Sequence, residues 1–146
     1  MNIFFDMDYT LLGLDNSLRP GAREVLQRLK DEGDDIYIWS GMGLRWEEVK
    51  MFALEPLITD CFVKPLENFA AHVDNALDEE KLPVRPDLVI DDHREVPAAL
   101  GGIWARPYLF LNDTDDEMER IYSIISEYKL TGSSKDSRFE AKAVEN

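Results

Sequence analysis

Positive charge is scarce in this chain. Its 146 residues carry 16 Lys and Arg against 30 Asp and Glu, a formal net charge of −14. A surface of that sign repels nucleic acid and anionic membranes at long range, which argues against both as partners. Cys61 is the only cysteine. No intrachain disulfide can form, and a cytoplasmic location is expected. No apolar run is long enough to span a bilayer, and the N-terminal residues lack the pattern of a signal peptide. Internal repeats and low-complexity segments are lacking too.

What is present is a regular alternation. Short, largely apolar runs, as expected for strands covered on both faces, occupy residues 3–5, 36–39, 61–63, 87–90 and 103–105. Between and after them, apolar residues fall at helical spacing. Residues 20–30 carry Ala22, Val25, Leu26 and Leu29 on one face, with Pro20 in the first turn and Gly33 as the stop. Residues 44–54 place Leu44, Val49 and Phe52 inward, with Met51 as a further candidate. Residues 66–77 do so with Leu66, Phe69, Ala70, Val73 and Leu77. A short helix over 96–100 and a last one over 113–129 complete the series. The pattern predicts an α/β fold: a three-layer, Rossmann-like domain with a five-stranded, mostly parallel sheet and helices on both faces. Residues 1–130 form this single domain, and 131–146, polar and without period, are expected to be a mobile tail.

In open parallel sheets, ligands bind beyond the carboxyl ends of the strands. The strand ends are therefore the informative positions. The first apolar run ends in Asp6-Met7-Asp8, two carboxylates that can converge if the strand geometry persists. Two anions that close call for a cation between them, and a hard divalent ion with oxygen ligands suits them. The second run ends in Ser40, before a Gly41-Met42-Gly43 turn whose backbone N–H groups are expected to open a helix and bind an anion. The third ends in Lys64 and the fourth in Asp91-Asp92. A hydroxyl and an ammonium suit phosphate oxygens, and the carboxylates suit a metal and a nucleophile.

This constellation resembles the haloacid dehalogenase superfamily of phosphohydrolases. Asp6-Met7-Asp8-Tyr9-Thr10 matches its Asp-x-Asp-x-[Thr/Val] motif, Ser40 its hydroxyl motif, Lys64 its lysine, and Asp91-Asp92 its closing acidic pair. All four occur in order and at strand ends. The resemblance implies Asp6 as a nucleophile that forms an aspartyl-phosphate. It implies Asp8 as general acid and base, with its backbone carbonyl on Mg²⁺. Ser40, Gly41 and Lys64 would hold the phosphate. Asp6, Asp8 and Asp92 would hold Mg²⁺, with Thr10 and Asp91 supporting from behind. The order within the acidic pair is left open, and Glu95 could join from outside.

Two departures stand out. Many members have glycine where Tyr9 stands. A cap domain often follows the first or second motif, and neither gap here has room for one, so a capless member is expected. The implied activity is hydrolysis of a phosphomonoester, either a small phosphometabolite or a phosphoprotein. The rivals are a non-catalytic binding module on the same fold and a phosphotransferase to an acceptor other than water. Specificity is expected from residues 11–19, Trp46, His93 and residues 106–110. Homo-oligomerisation is left open. Trp39, Trp104 and Cys61 are assigned to the core.

Overall fold

The computed structural model describes residues 1–143. Its elements in chain order are β1 (Asn2–Phe5), α1 (Ala22–Asp31), β2 (Asp35–Ser40), α2 (Trp46–Met51), a single 3₁₀ turn (Glu55–Leu57), β3 (Asp60–Val63), α3 (Phe69–Asp78), β4 (Leu88–Asp91), α4 (Glu95–Leu100), β5 (Gly102–Trp104), α5 (Glu117–Thr131) and β6 (Phe139–Glu140). They build an α/β protein around one sheet of order β3-β2-β1-β4-β5-β6. The first five strands are parallel, and β6 runs antiparallel to β5.

β1 lies at the centre because every residue after Asn2 is apolar and can be buried from either side. Alternate residues divide between two cores. Ile3 and Phe5 pack with Val25, Leu26 and Leu29 of α1 and Ile121, Ile124 and Ile125 of α5. Phe4 packs with Tyr37, Trp39, Val73 of α3 and Val96 of α4. Its ring meets the Trp39 indole edge-on at 5.8 Å. Each fully buried side chain of this kind contributes about 1.5–3 kcal/mol from burial alone. Gly102 lets β5 lie against β4, since a Cβ there would stand 1.9 Å from the Val89 carbonyl oxygen.

The expectation of five strands is corrected to six, the sixth falling within the segment expected as a polar tail. Phe139 pairs with Ile103 and Glu140 with Gly102. Polar anchors hold the approach to β6. The Arg120 guanidinium grips Asp136 through two bonds of 2.9 and 2.8 Å, and Arg94 donates to Glu140 at 2.6 Å. A segment without an apolar stripe can still supply a strand when its charges are individually paired. Residues 144–146 of the expected tail lie outside the described residues.

Helix limits also shift. α2 opens at Trp46, not at residue 44, and α5 opens at Glu117, not at 113. α3 begins at Phe69, which leaves Leu66 outside the helix and 89 % exposed. Among the described residues no helix is long and apolar enough to cross a membrane.

Candidate active site

The carboxyl ends of β1, β2, β3 and β4 meet at one rim of the sheet, as their parallel register requires. There they line a cleft of about 470 Å³. Its walls include Asp6, Asp8, Tyr9, Ser40, Gly41, Lys64 and Asp92, with Met42, Leu66 and Phe69 on the apolar side. The residues singled out from sequence are thus neighbours in space, with Thr10 and Asp91 buried just behind them.

Asp6 is held from two sides. Its Oδ2 accepts the Thr10 hydroxyl at 3.0 Å and its Oδ1 accepts Lys64 Nζ at 3.1 Å. Lys64 bridges to Asp91 as well, at 2.5 Å. Burial disfavours the lysine charge, but the Asp6 and Asp91 carboxylates override it and hold Lys64 above its ordinary value. Asp91 is wholly buried and also accepts the His93 backbone N–H at 2.9 Å. Burial and the Asp6 charge push its carboxyl up.

Asp92 has a different environment. Its Oδ1 is buried and has no hydrogen-bond partner. Burial, followed by the neighbouring Asp6 and Asp91, pushes its carboxyl up to about 7. Its backbone carbonyl accepts the Trp104 indole N–H at 3.0 Å, which fixes the turn after β4. Trp104 was assigned to the core, yet it is only half-buried, and it lies within cation–π reach of Arg94 and Arg138. The sixth strand therefore leads to the site through this indole.

These residues fit a hard divalent cation. Asp6, Asp91 and Asp92 set three carboxylates against the single ammonium of Lys64, a surplus of two negative charges when all are ionised. The orphaned Asp92 oxygen is the kind of donor a metal would occupy. One atom each of Asp91, Asp92 and His93 also lies within 4.8 Å of the others, a grouping compatible with a metal. Asp91 is already engaged by Lys64 and the His93 amide, so Asp92 is the freer ligand of the pair.

Asp8 does not face Asp6's partners. The Arg45 guanidinium takes it instead, with Nη1 at 2.5 Å from Oδ2 and Nη2 at 3.1 Å from Oδ1. Nη1 also lies 3.2 Å from Ser40 Oγ, and Nε pairs with Glu48 at 3.2 Å. Arg45 was not expected here. The helical spacing expected over residues 44–54 places Leu44 inward and gives Arg45 no role. The reverse holds: Leu44 is 61 % exposed and Arg45 8 %. The alternating charges Arg45 and Glu48, spaced i,i+3, were the available signal.

Other expectations are revised by position. Gly41 and Gly43 do not open a helix, because α2 starts at Trp46 and has only six residues. Ser40 and Gly41 still line the cleft, and the Met42 backbone N–H bonds Ser40 Oγ at 3.2 Å. Tyr9 also lines it, with φ 64°, a left-handed conformation that glycine adopts without strain and tyrosine does not. Trp46 packs on the core, and residues 106–112 border a separate open hollow. No protein-family model matches this chain, and no curated protein matches it.

Proposed function

We propose that this protein is a phosphomonoester hydrolase, and more narrowly a Mg²⁺-dependent phosphatase of the haloacid dehalogenase type, three-layered and without a cap. The observation that carries the reading is the meeting of Asp6, Lys64 and the orphaned Asp92 oxygen in one open cleft at the strand ends. A nucleophile, a cation for the phosphate and a free metal donor are the parts that phosphoryl transfer needs.

Asp6 and Asp92, with the Asp8 backbone carbonyl, would hold Mg²⁺, which supplies charge neutralisation as the anionic phosphate approaches an anionic nucleophile. Lys64 and the Ser40 hydroxyl bind the phosphate oxygens. An Asp6 oxygen forms a bond to phosphorus as the bond to the ester oxygen breaks, and Asp8 delivers a proton to that oxygen. Water then attacks phosphorus, Asp8 accepts its proton, and the bond from Asp6 to phosphorus breaks to release phosphate. Thr10 keeps the Asp6 carboxylate aimed while this occurs.

The test is phosphate release from a panel of phosphometabolites and phosphopeptides, with and without Mg²⁺, with Asp6→Asn as control. Mg²⁺-dependent release that Asp6→Asn abolishes is the expected result. Release without Mg²⁺, or an Asp6→Asn protein as active as wild type, would sink the reading.

A further inference from the structure

The Arg45 guanidinium joins two groups that the proposed reaction uses separately. It grips both oxygens of Asp8 and, through Nη1, reaches Ser40 Oγ at 3.2 Å. Ser40 Oγ also accepts the Met42 backbone N–H at 3.2 Å. A hydroxyl has two acceptor lone pairs and one proton. With both lone pairs engaged by N–H donors, its O–H is left as the only donor directed elsewhere, and Ser40 borders the cleft. Arg45 thus fixes the polarity of the Ser40 hydroxyl as well as the orientation of Asp8.

The grip on Asp8 has a spare contact. A carboxyl group offers about four lone-pair sites on its two oxygens. When one oxygen carries a proton to be delivered, the other still accepts from the guanidinium, and the rotamer is kept. Arg45 is itself held from behind by Glu48 at 3.2 Å, and a planar fork of donors suits this geometry where a lysine point charge does not.

We propose that Arg45 is a positioning residue that sets the Asp8 carboxyl and the Ser40 hydroxyl as one unit, so that proton delivery and phosphate binding are aligned together. This rests on the phosphatase reading. Arg45 acts through Asp8 and Ser40 and has no contact with the proposed nucleophile Asp6. Its loss should therefore resemble loss of Asp8 orientation rather than loss of the nucleophile. An aryl ester with a good leaving group needs little proton delivery, whereas an alkyl ester needs it fully, so the two substrates separate the roles.

The experiment measures kcat and KM with para-nitrophenyl phosphate and with ethyl phosphate, in Mg²⁺. The proteins are wild type, Arg45→Gln, Arg45→Lys, Asp8→Asn and the double variant Asp8→Asn/Arg45→Gln, with thermal melting of each. For Arg45→Gln, kcat on ethyl phosphate should fall about a hundredfold, with a loss several times smaller on the aryl ester. Arg45→Lys, which keeps the charge near Glu48, should recover only part of the ethyl phosphate rate. In the Asp8→Asn background, adding Arg45→Gln should change kcat by no more than about twofold, while KM still rises because the Ser40 hydroxyl loses its fixed direction. Additive losses in kcat, or equal losses on both esters, overturn the proposal. If Arg45→Gln does not fold, the Arg45→Lys substrate ratio decides in the same way. Absence of turnover by the wild type overturns the phosphatase reading and the role of Arg45 with it. Turnover with additive losses in kcat overturns the role of Arg45 alone.

Discussion

The two rims of the sheet handle buried charge in opposite ways. At the rim where the strands begin, Asp34 accepts from the Met1 amine at 2.9 Å and from Lys129, and Glu32 accepts from Lys129 at 3.0 Å and from the Tyr122 hydroxyl at 2.6 Å. One buried carboxylate, Asp34, and one exposed one, Glu32, meet two cations there. At the rim where the strands end, Asp6 and Asp91 share Lys64, and beside them one Asp92 oxygen has no partner. Both rims belong to the same acidic chain, so composition does not account for the difference. A fold selected for stability alone pairs its buried carboxylates, because an uncompensated buried charge costs several kcal/mol. The deficit at the second rim therefore argues for a ligand that completes it.

The sharpest way to break this contrast is at the deficient rim. Asp6→Asn should lower phosphate release by at least about a thousandfold, because the proposed nucleophile is removed. Its melting temperature should stay the same or rise, since one charge leaves a crowded cluster. A marked fall in melting temperature would show that Asp6 serves the fold as Lys129 does at the other rim. The next effect belongs to Asp92. Asp92→Ala should weaken the Mg²⁺ response by about 10–100-fold, read as the Mg²⁺ concentration giving half-maximal rate. It should also leave thermal unfolding less sensitive to added Mg²⁺ than in the wild type, a readout that does not depend on turnover.

Much of this contrast can be read from the sequence, and the reasons are physical. Strands buried on both faces are all apolar, so Ile3-Phe4-Phe5 and Leu88-Val89-Ile90 announce themselves, and the charges that follow them mark the rim. Arg45 could not be read in the same way. Its burial depends on where α2 begins, and a shift of start from residue 44 to Trp46 exchanges the inward residue. β6 was hidden because a two-residue strand with one apolar side chain, Phe139, has no period. The Trp104 bond to the Asp92 carbonyl links distant segments, and only the assembled sheet brings them together.

A balanced pair also exists on the site side. Arg19, wholly buried, donates to Asp115 through Nε at 2.7 Å and Nη2 at 3.0 Å, and its Nη1 holds the Thr10 carbonyl at 3.1 Å. Removing one partner leaves the other buried and unpaired, so Asp115→Ala should cost about 3 kcal/mol, measured by denaturant unfolding. The pair also sets a pH dependence. Burial raises Asp115, but the Arg19 guanidinium overrides it and holds the carboxyl below its ordinary 3.8. The unfolded chain therefore takes up this proton more readily than the folded one. The pair's contribution is complete above about pH 4 and is lost as pH falls through the folded value. In Asp115→Ala that acid-limb slope should be shallower. An unchanged slope would place the acid sensitivity elsewhere.

The smallest effect should come from the balanced rim. Lys129→Met removes a cation from Asp34 and Glu32 together, yet each keeps a partner: the Met1 amine stays on Asp34 and the Tyr122 hydroxyl on Glu32. The lysine is partly solvated, so solvent screening reduces what its charge contributes. A loss of about 1 kcal/mol is expected, or roughly 2–4 °C in melting temperature for a chain of this length. Phosphate release and its Mg²⁺ requirement should be unchanged, because Asp34 caps the opposite end of the strands from Asp6. If Lys129→Met altered the Mg²⁺ response as well, the rims would be coupled through the strands, and the charge deficit at the site would have to be explained for the sheet as a whole.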